Sequence, residues 1–225
     1  MQVTQKEKFR GGQEKPKTGR GRSPLAVWAK RDFKYLLDRN YRKESALNFV
    51  SDHYRLNKAQ RNGLFRSVFS EKEIKNHKSK LMPIWKISEK NIVIDGFNVL
   101  ITVESILSGK RVIRCTDGFL RDVSGVYGKY RMSEKTKFAI EKILLILKKY
   151  KPRYVLFIFD SQISRSGELS ALIKKELHKF GLDGDAKTSK NTDSEIKKLN
   201  WITLTSDTTI IEKVNKVIDI AKKLI

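Results

Sequence analysis

The chain has 225 residues, with 48 Lys+Arg against 25 Asp+Glu, a formal charge of +23. A field of that sign attracts phosphate backbones, so nucleic acid or a ribonucleoprotein is the expected partner class. A Lys-rich thermophile composition is the competing explanation, but such chains balance Lys with Glu and this one does not. The single cysteine, Cys115, excludes an internal disulfide and a multi-cysteine zinc site. A reducing cytoplasm fits that cysteine usage; no apolar run approaches the roughly 20 residues of a membrane span, and the N-terminus lacks a signal peptide's apolar stretch.

Residues 1–22 scatter Lys6, Lys8, Arg10, Lys15, Lys17, Arg20 and Arg22 among Gly, Gln and Thr. They read as a disordered basic tail, either laid along phosphates or merely solubilising. Residues 23–80 form a helical N-terminal unit. Ser23-Pro24 starts a helix through Leu37, a second runs from Lys43 to Tyr54 with Phe49 facing inward, and a third runs from about Asn57 to Phe69. The trio has helix-turn-helix proportions, serving either as a helical cap on the main core or as a DNA reader. Residues 71–80 read as a polar connector and residues 81–85 as an edge segment.

An α/β body fills residues 81–225. Strands are expected at 92–95, 153–159 and 201–205, with helices at 99–108, 133–150, 167–180, 193–199 and 208–224. Alternating strands and helices imply a mostly parallel central sheet covered on both faces, a Rossmann-like three-layer sandwich. Ligands of such sheets bind at the carboxyl ends of the strands. Asp183-Gly184-Asp185 reads as a turn, and His53, His77 and His178 lack ligand spacing.

Three aspartates, Asp95, Asp160 and Asp207, each follow an apolar strand, and Asp193 opens a short helix. Carboxylates gathered on one rim repel unless a cation neutralises them. Hard cations such as Mg²⁺ or Mn²⁺ take oxygen ligands and activate water for phosphodiester attack. For Asp207, followed by Thr208-Thr209, helix capping is the competing role.

Asp95-Gly96-Phe97-Asn98, Phe159-Asp160-Ser161, Thr192-Asp193-Ser194-Glu195 and Thr205-Ser206-Asp207 resemble the successive acidic motifs of PIN-like nucleases, above all the branch opening with Asp-Gly-x-Asn. The likeness extends over most of the chain and is greatest to a largely archaeal domain family of undetermined function. The resemblance implies a metal-dependent ribonuclease in which Asp95, Asp160, Asp193 and Asp207 are catalytic residues and ligands for one or two Mg²⁺ or Mn²⁺ ions. Asn98 would then orient a ligand or contact the scissile phosphate. Many relatives carry an additional glutamate, for which Glu104, Glu168 and Glu195 compete here.

Two polar loops complete the candidate site. Arg121 and Arg165 could clamp a phosphate while the Ser164 and Ser166 hydroxyls bind its oxygens, and Asp117 could extend the acidic cluster or simply form a turn with Gly118. The partner expected is RNA, with the ribosome or DNA as further candidates. The alternative to catalysis is a non-catalytic RNA- or ribosome-binding protein on a degenerate PIN-like scaffold.

Overall fold

The computed structural model describes residues 24–225 apart from residue 111 and residues 124–129. The basic tail at 1–22 lies outside the described residues.

Four helices come first: α1 (Pro24–Asp38), α2 (Lys43–His53), α3 (Lys58–Ser67) and α4 (Glu71–Lys80). The first three enclose a small core of Ala29, Phe33, Leu37, Ala46, Val50, Leu64 and Val68. Phe49 is not part of it: its ring is 69% exposed, on the outer side of α2. Helix α4 replaces the expected polar connector. A capping box, in which Ser70 and Glu73 satisfy each other's backbone amides, starts it, and only Ile74 and His77 on it are buried. Too little apolar surface was available for periodicity to register.

The body is a five-stranded, wholly parallel sheet in the order β5-β4-β1-β6-β7. Its strands are β1 (Asn91–Asp95), β4 (Tyr154–Asp160), β5 (Gly184–Ser189), β6 (Ile202–Leu204) and β7 (Val217–Ile218). A separate antiparallel hairpin joins β2 (Val112–Arg114) to β3 (Leu120–Asp122). Ile92, Ile94, Val155, Phe157 and Phe159 face one side and pack with α5 (Gly96–Leu107), α6 (Glu134–Tyr150) and α7 (Ser166–Lys179). Val93, Leu156 and Ile158 face the other, against α8 (Thr192–Leu199) and α9 (Thr208–Lys213). This is the Rossmann-like layering that the alternating pattern implies.

Two segments depart from expectation. Gly184–Ser189, whose first two residues belong to the Asp183-Gly184-Asp185 stretch expected to turn, is an edge strand hydrogen-bonded to β4 alone among the described strands. The helix expected over 208–224 stops at Lys213, and Val217–Ile218 pairs with β6 before a short 3-10 turn. Of the edge segment expected over 81–85, Leu81 alone forms a parallel bridge, to Val217, and Ile84–Ile87 is a 3-10 turn.

Chain order fixes where a ligand can sit. From β1 the chain moves outward through β4 to β5, then returns to the opposite side for β6 and β7. The connections diverge between β1 and β6, which opens a crevice at the carboxyl ends of those two strands.

Gly96, at the first turn of α5, is required by packing. A Cβ built there would lie 2.3 Å from the Phe159 ring, a ring that also packs edge-on against Phe97 at 5.1 Å. Gly96→Ala is therefore expected to cost about 1–3 kcal/mol through overpacking, measured by urea denaturation; an unchanged midpoint would contradict this packing.

Candidate active site at the sheet switch point

Asp95 ends β1, the central strand, and is buried. The Thr205 hydroxyl donates to its Oδ2 at 2.9 Å. Burial, and then the negative charges of Asp207 and Asp193, push the Asp95 carboxyl up to about 8, although the Thr205 bond acts to lower it. A buried acid facing other acids lacks a compensating positive charge.

The loop after β6 is held by Asn98, two residues into the motif's helix. Asn98 Oδ1 accepts from the Ser206 amide at 2.8 Å, the Ser206 hydroxyl at 3.1 Å and the Thr205 hydroxyl at 3.3 Å. Among the described residues its Nδ2 end makes no hydrogen bond. Asp207 follows and caps α9, its Oδ1 accepting from the Thr209 and Ile210 amides. Capping and membership of the acidic cluster are thus compatible, since Oδ1 alone performs the capping.

Arg121 secures the same loop from below. Its Nε donates to the Ser206 carbonyl at 2.6 Å, and its two terminal nitrogens grip both oxygens of Asp117 at 2.9 and 2.7 Å. Asp117 Oδ2 also lies 2.8 Å from His77 Nδ1, so α4, the hairpin and the β6 loop meet in one buried cluster. Burial alone would raise the Asp117 carboxyl, but bonds from His77 and Arg121 prevail and hold it near 2. The Phe69 and Phe119 rings flank the guanidinium. This cluster was the part of the site hardest to read in sequence. The expectation for Asp117 and Arg121 is substrate contact; Asp117 is fully buried, whereas Arg121, with three N–H groups engaged inside the protein, still lines the adjoining cleft. His77, with no ligand spacing, proves to be the third member.

Asp219, just beyond β7, is a further strand-end acid that the sequence pattern hid inside an expected helix. It is buried, accepts from the Leu120 amide at 2.8 Å, and is pushed up to about 6, mainly by burial. It anchors β3 to the sheet edge.

Beside these residues opens a cleft of about 580 Å³. The α/β body supplies Asn98, Ile101, Thr102, Ser206 and Asp207 to one wall, and the helical unit supplies Lys43, Phe65, Arg66, Phe69 and Glu73 to the other. Two main-chain and side-chain contacts dock the unit here: the Thr116 amide to the Ser67 carbonyl at 2.8 Å, and the Phe69 amide to the Thr116 hydroxyl at 3.0 Å. Lys80 Nζ additionally donates to the Ile211 and Glu212 carbonyls at the end of α9.

The remaining candidates are distributed around this centre. Asp95 is in register with Ile158, so Asp160 shares its face but lies two residues, roughly 7 Å, further out along β4; its Oδ1 accepts from the Gln162 amide. Asp193 reaches α9, where Lys213 pairs with it at 3.0 Å. Arg165 takes a left-handed conformation with φ 63° and grips Glu168 at 2.6 Å. Ser164 is exposed, Ser166 is buried at the start of α7, and neither these two nor Arg165 lines the cleft. The competing glutamates are engaged elsewhere: Glu104 accepts from the Tyr130 hydroxyl and Glu195 pairs with Lys187. Among the described residues, no three His, Cys, Asp or Glu side chains gather closely enough to form a complete metal-ligand set. No helix among them is long and apolar enough to cross a membrane.

The geometry defines a parallel α/β domain with an acidic switch-point crevice roofed by a helical unit. The chain belongs to the family described as "Domain of unknown function (DUF5616)", whose model matches residues 84–223, and the model "Protein of unknown function (DUF434)" matches residues 28–80. The two matches divide the chain at the boundary between the helical unit and the α/β body. It is 42% identical over 199 residues to "Uncharacterized protein MJ0935" of Methanocaldococcus jannaschii, covering 88% of this chain and 95% of that protein. No solved structure matches.

Unfolded, the Asp95 carboxyl titrates in the ordinary carboxylate range; folded, it titrates near 8. Between those values the unfolded chain releases a proton that the folded chain keeps, so stability falls as pH rises toward 8. Asp95→Asn should therefore melt higher than wild type by a margin that grows from pH 5 to pH 8; equal melting temperatures at pH 8 would contradict the buried, acid-facing placement. Arg121→Met leaves Asp117 buried without its main counter-charge and should cost about 3–5 kcal/mol at pH 7, read from denaturant midpoints; a loss below about 1 kcal/mol would match a mere surface pair.

Proposed function

We propose that the protein is a divalent-cation-dependent ribonuclease of the PIN-like type. The observation that carries this reading is Asp95, a buried carboxyl at the switch point, facing the charges of Asp207 and Asp193 with no positive group bonded to it among the described residues. The donor set suits Mg²⁺ or Mn²⁺, since Mg²⁺ is commonly held by one or two carboxylates together with waters and substrate phosphates. Asp95 and Asp207 would hold it, with Asp193 and the more distant Asp160 as outer acids. A cation held there would polarise a phosphodiester and lower the pKa of an attacking water.

The protein's own groups prepare that place. Thr205 fixes the Asp95 oxygen, the Ser206 and Thr205 bonds fix Asn98, and Arg121 fixes the Ser206 carbonyl. The Asn98 amide can then donate to a phosphate oxygen in the cleft. The strongly basic chain supplies long-range attraction to RNA, free or in a ribosomal particle, and the reading assigns the protein to the cytoplasm. The PIN-like motifs and the parallel sheet with its acidic carboxyl edge support the same class.

One observation favours a second reading, a non-catalytic RNA-binding protein: Lys213 already neutralises Asp193. The two readings separate on chelator. With Mn²⁺ present, wild type should cleave single-stranded RNA, EDTA should abolish cleavage, and Asp95→Asn or Asp207→Asn should each lose at least about 100-fold, near 3 kcal/mol of barrier. RNA binding that is indifferent to EDTA, without cleavage of any RNA, would support the second reading.

A further inference from the structure

The wall that the helical unit contributes to the cleft has a composition unlike a structural interface. Lys43, on the first turn of α2, is partly buried with its ammonium 4.1 Å from the centre of the Phe69 ring and 5.1 Å from that of Phe65. Burial lowers its pKa, with the charge of Glu73 opposing. Among the described residues no carboxylate lies within ion-pair distance of it, so a desolvated cation rests on two aromatic faces and points its charge at an open cavity. A lysine so placed is a point-charge receptor for an anion. The two rings differ in exposure: Phe69 is buried at the base, whereas Phe65 is 38% exposed at the lip of the cleft. Arg66 lies next to it, exposed and bonded only weakly, at 3.4 Å, to the Asp122 carbonyl. Across the cavity stand Asn98 and Asp207.

A ligand that meets all of these features has an anionic group for Lys43, a flat face for Phe65, and a further oxygen-rich portion for the acidic edge. We propose that the cleft binds one nucleotide of single-stranded RNA, its base stacked on Phe65 and its phosphate on Lys43, across from Asn98 and Asp207. The volume of about 580 Å³ accommodates one such unit. Base-paired RNA is excluded because its base faces are already stacked within the helix. The helical unit is then the substrate-reading half of a composite site, and neither the unit nor the α/β body contains that site by itself. The identification of RNA as the polymer rests on the ribonuclease reading; the stacking and anion subsites rest on Lys43 and Phe65.

The test is fluorescence anisotropy with the full chain and a fluorescein-labelled single-stranded oligoribonucleotide of mixed sequence, in EDTA so that nothing is cleaved. Phe65→Ala should weaken binding about tenfold and Phe65→Trp should restore it, the size of one base-aromatic stack. Lys43→Gln should weaken binding and flatten its salt dependence by about one phosphate contact. Phe49→Ala, which removes an exposed ring outside the cleft, should change nothing, and matched melting curves exclude unfolding as the cause. Equal losses for Phe65→Ala and Phe49→Ala, unchanged affinity in Phe65→Ala and Lys43→Gln, no binding by wild type, or duplex RNA competing as well as single strand would each overturn the proposal. A wild type that shows this binding pattern but never cleaves in Mn²⁺ removes the ribonuclease reading and keeps the cleft. One that cleaves while both variants bind normally does the reverse.

Discussion

The guanidinium of Arg121 is the interaction on which the geometry depends. It joins three pieces of chain that share no secondary structure: the turn carrying Asp117, the loop after β6 through the Ser206 carbonyl, and, by way of Asp117, His77 on α4. A buried Arg-carboxylate pair is a poor source of net stability, because desolvation offsets most of its attraction. Its consequence is positional. With three of its N–H groups so directed, the β6 loop is held against Asn98, and the helical unit is held against the hairpin. The cleft exists because those two docking events occur together.

That scaffold supports an arrangement which is electrostatically unfavourable without an additional charge. Asp95 is buried among acids and pushed up to about 8, a cost that a fold tolerates where a charged ligand repays it. The asymmetry among the acids is informative. Asp207 divides its oxygens between capping α9 and facing the crevice, Asp193 is drawn toward Lys213, and Asp160 is displaced along β4 by the strand register. Asp95, Asp160 and Asp207 therefore stand at strand ends without being equivalent, while Asp193 lies on α8, and among the described residues the four do not gather into one ligand set.

The parts of this structure legible in sequence were those whose burial is two-sided. β1 and β4 are apolar on both faces because both faces are covered, and continuous runs such as Asn91–Asp95 announce themselves. Strand β5 is not legible because its residues, Gly-Asp-Ala-Lys-Thr-Ser, form a polar edge whose strand character comes from pairing with β4. Strand β7 has two residues, and Val217 and Ile218 fit a helical apolar period equally well. Helix α4 was concealed by its charge, since capping rather than periodicity defines it. In the site, Asp95 and Asp207 were legible because an acid at the end of an apolar strand is a local pattern. The roles of His77, Asp219 and Lys43 are not, because each depends on contacts with a separate element: Asp117 for His77, Leu120 for Asp219, and the rings of Phe65 and Phe69 for Lys43.

The central claim is that the Asp95–Asp207 crevice is a divalent-cation site. The most direct measurement is a crystal of the protein soaked in Mn²⁺, with data collected for anomalous scattering. The account predicts a peak within ligand distance, about 2.2 Å, of the carboxylate oxygens of both Asp95 and Asp207, absent from an Asp95→Asn crystal. A crevice without anomalous density at saturating Mn²⁺, with these two side chains ordered, would contradict it.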